Sequence, residues 1–382
     1  MSTTSSPSGR GARRVAITAL AVLALLVPVG FLFAQVWSST GEALSFNTSE
    51  RRGAEYVGPL TELLSVTTEA QSSAVGGRPV DVAAVQSAVT AVDEVDRRYG
   101  DELRTRERWT AIKQSVGDLT SRSWPVPAAA FAQYSDLVTQ MIELTRKVGD
   151  ESRLILDPEL DGYYVTNAAM FGIPDVLVDS GRYLDLTVLA SFPGEDDVTQ
   201  AQLTTARNRV ASNAADLGDG LIKAISATRS DTLGAGLTRP MDDFRTAVDT
   251  VASSNSLLAP APEESAGKLR TDQDELQRSS LALQRAALSE LGSLLETRRG
   301  GVERTRLLAL LVVVLALLVV AGVLAGLWRT RRGSFRRTPQ EPDRSGRHTR
   351  LSGTAPTGAA DPPTELVGAG GHQHGGGGRA AR

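Results

Sequence analysis

The sequence predicts an all-α protein strung between two membrane helices, and three observations predict it. Two apolar stretches without a charge, Val15 to Gly41 and Leu307 to Trp328, bracket the rest of the chain. The block between them is rich in Ala, Leu, Val, Glu, Gln and Arg, poor in aromatics, and shows no alternating strand pattern of any length. Glycine and proline punctuate that block at helix-length intervals. The expected organisation is a cytoplasmic N-terminus (1–14), a first transmembrane helix (15–37), an extracytoplasmic helical domain (38–306), a second transmembrane helix (307–328) and a disordered basic Gly/Pro-rich cytoplasmic tail (329–382).

The first span follows Arg10, Arg13 and Arg14, with no acid before it. Its apolar run exceeds the roughly 7 to 15 residues of a signal-peptide core, and Leu32 fits poorly three residues before a cleavage site, so an uncleaved anchor is the reading over a cleaved signal. The second span has 22 residues without a charge. At 1.5 Å per residue this covers a hydrocarbon core of roughly 30 Å, and it ends on Trp328, a residue suited to the interface. Arg329, Arg331, Arg332, Arg336 and Arg337 follow, which places both termini in the cytoplasm by the positive-inside rule. Arg298, Arg299, Arg304 and Arg306 crowd the opposite flank and weaken that signal.

Within 38–306, breaks are expected at Gly76 to Pro79, Trp124 to Pro127, Asp157-Pro158, Phe192 to Gly194, Gly234 to Pro240 and Ala259 to Pro262, giving about six helices. The first leaves the membrane through residues 38–74 and the last, from about Glu263 to Thr305, enters it. In that last helix Leu281, Leu288, Leu295 and Val302 recur every seven residues, flanked by Leu276, Leu283 and Leu291. The stripe serves either an intramolecular bundle core or a dimer seam. Gly300-Gly301 stands at the joint with the membrane as a candidate hinge.

The chain carries −3 overall; the segment after Trp328 carries +6 and the N-terminal segment +3, which leaves −12 for the block between. Such a surface disfavours nucleic acid as a partner. Zero cysteines exclude a disulfide scaffold, thiol catalysis and Cys-ligated zinc. All three histidines, His348, His372 and His374, lie in the tail, so the middle block has no imidazole for acid–base work. No phosphate-binding glycine loop, metalloprotease helix pair or nucleophile elbow is present. No catalytic residue, metal site or cofactor is expected.

Two stretches carry a resemblance: Glu50 to Leu64 on the first outer helix, with Glu50, Gly53, Tyr56, Pro59, Leu60, Leu63 and Leu64, and Leu156-Asp157-Pro158-Glu159-Leu160-Asp161-Gly162-Tyr163-Tyr164 in mid-chain. They resemble the extracytoplasmic helical sensor domains of bacterial chemoreceptors and sensor histidine kinases, in which an LDP-x-LD-x-YY signature opens a middle helix. The resemblance covers roughly Ala43 to Arg306. It implies a membrane-bound receptor of six helices in two stacked four-helix bundles, and neither motif is catalytic in that group. In those receptors a kinase, a cyclase or a methylated coiled coil follows the second membrane helix. Here 54 residues follow Trp328, with five prolines and few large apolar side chains.

The mid-chain motif has a purely structural reading. Asp157 caps a helix whose first residue is Pro158, and Glu159 and Asp161 sit near the positive end of its dipole. In the functional reading Tyr163, Tyr164 and Asn167 place hydroxyls and an amide at a bundle cavity, where Arg153 or Arg182 pairs with an anion. The candidate ligand-binding set is therefore Arg153, Asp157, Asp161, Tyr163, Tyr164, Asn167 and Arg182. The expected function is a non-enzymatic membrane sensor or accessory receptor for a small molecule (an anion or amino acid) or a partner protein. Output would run through a separate signalling protein, with a homodimer as the family-like assembly. The alternative is an envelope scaffold that dimerises through the bundle.

Overall fold

A computed structural model describes residues 9–191, 200–253 and 262–333, and in these every regular element is helical. The order is α1 (Gly9–Val75), α2 (Val82–Tyr99), α3 (Arg106–Thr120), α4 (Pro127–Ser152), a 3₁₀ turn (Leu154–Leu156), α5 (Leu160–Asn167), a π turn (Ala168–Gly172), α6 (Ile173–Leu189), α7 (Gln200–Ala227), α8 (Leu233–Ser253) and α9 (Pro262–Gly333). α5, the π turn and α6 are one continuous helix, so eight helices stand among the described residues where about six were expected. Residues through Val323 form one unit; from Leu324 only the end of α9 is described.

Local chemistry sets most ends. α1 stops in a left-handed Gly77 (φ 65°), with Arg78 N–H donating to the Ser73 carbonyl at 2.8 Å and Gly77 N–H to that of Ala74 at 3.2 Å, a Schellman pattern. Asp81 caps α2 by accepting from the Ala84 amide at 2.9 Å. Pro127 occupies the first turn of α4, where its missing N–H costs nothing. One unexpected break separates α2 from α3. Residues 101–104 are ordinary helix formers, yet the chain turns through Arg104 at φ 49°. Thr105 then fastens the turn to the buried Asp96 by a 2.7 Å bond from its hydroxyl. The expected break at Gly234 to Pro240 lies inside α8 instead; the turn is residues 228–232, built on Thr228 and Ser230 side chains. The expected breaks at Phe192 to Gly194 and Ala259 to Ala261 lie outside the described residues.

α1 and α9 run antiparallel from the Thr40–Arg306 contact to the Ser65–Gln277 contact. Asn47 Nδ2 donates to the Leu295 carbonyl (2.8 Å), Gln284 Nε2 to Thr61 Oγ1 (3.0 Å), Gln277 Nε2 to the Ser65 carbonyl (2.9 Å) and Arg306 Nε to Thr40 Oγ1 (2.9 Å). The other helices flank this pair in two groups. α2, α3 and α4 lie on one side: Tyr56 donates to Asp96 of α2 at 3.0 Å, Trp109 of α3 to Asp93 of α2 at 2.7 Å, and Gly53 abuts Ser152 at the end of α4. α5 to α8 lie on the other: Gln71 donates to Asp185 of α6 at 2.7 Å, and Asn213 of α7 to Asp179 of α6 at 2.7 Å. The two groups overlap along α1: α4 ends at Ser152 beside Gly53 and at its other end carries Phe131 beneath Arg182 of α6, whose neighbour Gly181 abuts Thr68. The two groups therefore lie side by side rather than end to end, which corrects the stacked arrangement.

The leucine stripe of α9 is used within the chain. Leu269, Leu276, Leu283, Leu291 and Leu295 are buried, while Leu281 and Leu288 pack at its margin. Beyond the bundle, α1 and α9 expose large apolar side chains such as Leu20, Phe31, Leu308 and Leu318. Their most apolar 18-residue windows are 0% and 6% buried, so they are not core helices of the bundle. Both are long and apolar enough to cross a membrane. α1 passes unbroken through Ala34 into the bundle core.

Candidate functional site

The mid-chain acidic motif closes on a residue that sequence reasoning treated only as a topology charge. Arg298 of α9 donates through Nη1 to Asp157 Oδ2 at 2.7 Å and through Nη2 to Asp161 Oδ1 at 3.2 Å, and its Nε lies 3.2 Å from Glu159. The Asp157 side chain is fully buried, that of Asp161 is 9% exposed and that of Arg298 19%. Three carboxylates hold the Arg298 guanidinium above its usual pKa, against the desolvation that opposes them. The sequence folds this way because residues 153–159 cannot stay helical. Arg153 ends α4 in the left-handed region (φ 60°, ψ 14°), a 3₁₀ turn follows, and Pro158 blocks helix continuation across Asp157.

Asp157 is not the cap of a helix starting at Pro158. α5 begins at Leu160, Glu159 stands at its cap position without a side-chain bond, and Asp157 Oδ1 accepts from the Glu159 amide at 2.9 Å. Its other oxygen is taken by Arg298 because charge pairing outweighs a neutral cap bond. Asp161 also accepts from Thr228 Oγ1 at 2.9 Å, which ties the α7–α8 turn to the same cluster. Gly162 completes it: a Cβ there would overlap Asp157 Oδ2 and crowd Arg298.

Next to this clamp a cleft of about 680 Å³ opens between α1, α9 and the α4–α5 connection. Its polar wall holds Asn47, Glu50, Arg153, Glu159, Arg298 and Arg299, and its apolar wall includes Leu44, Phe46, Pro158 and Val302. Glu50 is 2% exposed and its Oε1 has no hydrogen-bond partner; Asn47 Oδ1 is likewise buried and unpartnered. Burial, then the Asp157 charge, push the Glu50 carboxyl up to about 8, with Arg298 opposing. The lower rim, Ser39, Thr40 and Thr305, adjoins the point where Arg306 lies 4.7 Å above the Trp37 ring and bonds Thr40.

Of the seven candidate residues, the structure brings together Arg153 at the cleft and Asp157 and Asp161 in the clamp. It sets the other four elsewhere. Tyr163 and Tyr164 stack edge to face at 5.3 Å, with Lys223 Nζ 5.7 Å from the Tyr164 ring; Asn167 is exposed; Arg182 lies over Phe131 at 5.7 Å. None of these lines the cleft. One signal for Glu50 and Asn47 was available: with Gly53, Val57, Thr61, Leu64, Thr68 and Gln71 they continue a single three- and four-residue stripe, all buried. Arg298 had no local signal, since its partners lie 137 or more positions away.

At the other end of the bundle a polar seam runs through the core. Gln284 meets Thr61, Gln277 meets Ser65, Gln273 meets Ser180 at 3.0 Å and Gln71 meets Asp185. Burial pushes the Asp185 carboxyl up to about 7, with Ser72, Gln71, Arg78 and Arg270 opposing. Several seam atoms, including Gln273 Oε1, Gln284 Oε1 and Asp185 Oδ1, are buried without a partner. The cavity beside it, lined by Arg78, Arg270 and Gln273 among others, is about 60 Å³ and has room for water-sized occupants. Among the described residues no group of three or more His, Cys, Asp or Glu is placed to hold a metal ion. His348, His372 and His374 lie outside the described residues.

No known protein-family model, curated protein or solved structure matches this chain.

Proposed function

We propose that this protein is a membrane receptor, double-pass, with residues 38–306 outside and both termini in the cytoplasm, whose helical domain takes a ligand and passes its presence inward along α9. The reading also draws on the resemblance of the Glu50 to Leu64 and Leu156 to Tyr164 stretches to helical sensor domains. The observation that carries it is the Arg298 clamp. The helix that continues as the second apolar span is gripped, beside a cleft, by acids from the α4–α5 connection and, through Thr228, by the α7–α8 turn. A ligand that shifts the connection therefore acts on α9 directly, nine residues before the apolar span begins.

The buried polar seam between α1 and α9 suits such movement. Polar contacts with unsatisfied atoms hold one register less firmly than a fully apolar core does. Output would pass to a separate signalling protein.

The natural absence of cysteine makes the test direct. Val36→Cys with Ala309→Cys places a thiol on each span across the gap that both residues line. Oxidative cross-linking of this pair in membranes is followed while small molecules are screened by thermal shift. A compound that stabilises the protein and changes the cross-linking rate supports the reading. Stabilising compounds that leave the rate unchanged, across the whole screen, would sink it in favour of a scaffold. Alkaline phosphatase fusions within 38–306 and after Gly333 check the topology.

A further inference from the structure

We infer that the cleft between α1, α9 and the α4–α5 connection receives an ammonium group, held by the Glu50 carboxylate and the Asn47 side-chain oxygen, on a ligand whose anionic part reaches Arg153. The inference rests on the receptor reading for its biological sense and on the cleft alone for its chemistry.

Two acceptor atoms set the ligand's chemistry. Glu50 Oε1 and Asn47 Oδ1 stand one helical turn apart on α1; both are buried and without a partner, and both residues line the same cleft. A buried acceptor left unpaired costs about 1–3 kcal/mol, so a bound group that donates two or three hydrogen bonds recovers that penalty. A primary ammonium does so and brings the charge that suits a carboxylate. Asn47 keeps its orientation without the ligand, because its amide nitrogen already donates to the Leu295 carbonyl.

The cations of the wall are not equally available. Arg298 is held by three acids and Arg299 by Glu303 at 2.9 Å, whereas Arg153 is exposed and makes no ion pair among the described residues. Its left-handed backbone is unusual for a side-chain-bearing residue and is pinned by Arg153 N–H to the Asp150 carbonyl (3.2 Å) and by Leu156 N–H to its own carbonyl (2.9 Å). The cleft volume is that of a small-molecule site.

Two sources could carry an ammonium beside an anion: a free zwitterion such as an amino acid, or the headgroup of an ethanolamine phospholipid. The cleft reaches from Glu50 down to Ser39, two residues from Trp37 at the end of the first apolar span, so a headgroup in an adjacent leaflet comes within reach.

The test uses the full chain in phosphatidylcholine nanodiscs, with thermal shift and calorimetry against O-phosphoethanolamine and glycine up to about 10 mM. Phosphocholine, of similar charge but without N–H donors, serves as control. At least one of the two probes should bind, and at least about tenfold more tightly than phosphocholine. Glu50→Gln, which keeps the side chain's size, should weaken that probe at least about tenfold, and Arg153→Ala should weaken it while leaving ethanolamine itself unchanged. Because burial and the Asp157 charge favour protonated Glu50, binding of an ammonium at pH 7 should release a proton, read as a buffer-dependent heat that disappears in Glu50→Gln.

A second arm replaces part of the phosphatidylcholine by phosphatidylethanolamine. A rise in melting temperature that Glu50→Gln abolishes assigns the site to the headgroup; binding of the free probes alone assigns it to a soluble ligand. No binding in either arm, or unchanged binding in Glu50→Gln, overturns the inference. If another compound moves the cross-link between positions 36 and 309 while these probes fail, the receptor reading stands without it. Binding at Glu50 that leaves the cross-link unmoved has the opposite consequence.

Discussion

Arg298 and Asp157, separated by 141 positions in sequence, meet in a 2.7 Å charged hydrogen bond that joins the α4–α5 connection to α9. Neither residue is well placed without the other. Asp157 has a fully buried side chain, and the Arg298 guanidinium sits where two further acids, Glu159 and Asp161, also converge.

Breaking this contact from the arginine side should be expensive. Arg298→Met leaves Asp157 buried and uncompensated with Asp161 beside it, and a cost of about 3 kcal/mol is expected in denaturant unfolding of the full chain in detergent. Adding Asp157→Asn should recover part of the loss, since the double variant buries no unpaired charge at that position. A double variant no better than the single one would show that the pair does not account for the cost.

Glycines near the clamp and near the apolar span should respond in opposite ways. Gly162→Ala forces a methyl into Asp157 Oδ2 and should destabilise by about 1–3 kcal/mol. Gly300→Ala and Gly301→Ala meet nothing within 4 Å in a continuous helix, and each should stabilise by up to about 1 kcal/mol. Thermal unfolding of the three variants decides this. If Gly300-Gly301 also serves as a hinge, the alanine variants will gain stability and lose the ligand-dependent change in cross-linking.

Stability should fall as pH rises through neutrality. The Glu50 carboxyl is pushed from 4.5 up to about 8 and that of Asp185 from 3.8 up to about 7, so between the unfolded and folded values the native state holds a proton that the unfolded chain has released. The contribution of each group is complete below its unfolded pKa and is lost as pH climbs through the folded one. The slope is at most about 1.4 kcal/mol per pH unit for each group. Glu50→Gln and Asp185→Asn should each flatten the curve and be more stable than the parent at pH 8. A parent protein more stable at pH 8 than at pH 5.5 would contradict this.

In the polar seam, Thr61→Val should cost about 1–3 kcal/mol, because the buried Gln284 amide loses its acceptor. Combining it with Gln284→Met replaces both partners by apolar groups and should bring stability back to the parent value or above it. If the seam supports movement of α9 against α1, the stabilised double variant will show a reduced ligand response in the cross-linking assay.

Much of the architecture is legible in local pattern. Helical class follows from composition and the absence of alternation, and the two exposed apolar stretches follow from uncharged length. The α1 end at Gly76-Gly77 and the α4 start at Pro127 follow from residues that dictate their own backbone angles. The α2–α3 turn was not legible. Gly100 at the end of α2 is a lone glycine, which a helix tolerates, and what holds the turn is Thr105 bonding Asp96, which Tyr56 of α1 also bonds.

The site divides along the same line. The sequence by itself determined that the helices break at Asp157-Pro158 amid a concentration of acids, and that Arg153 stands beside the break. Only the tertiary structure decided that those acids serve Arg298, that Tyr163, Tyr164, Asn167 and Arg182 face away from the cleft, and that Glu50 and Asn47 enter it. The reason is physical. Backbone breaks and apolar periodicity act over a few residues and can be read along the chain. A charge on a helix looks the same whether it will face water or a partner more than a hundred positions away, and only the packing of α1 against α9 and the α4–α5 connection distinguishes the two.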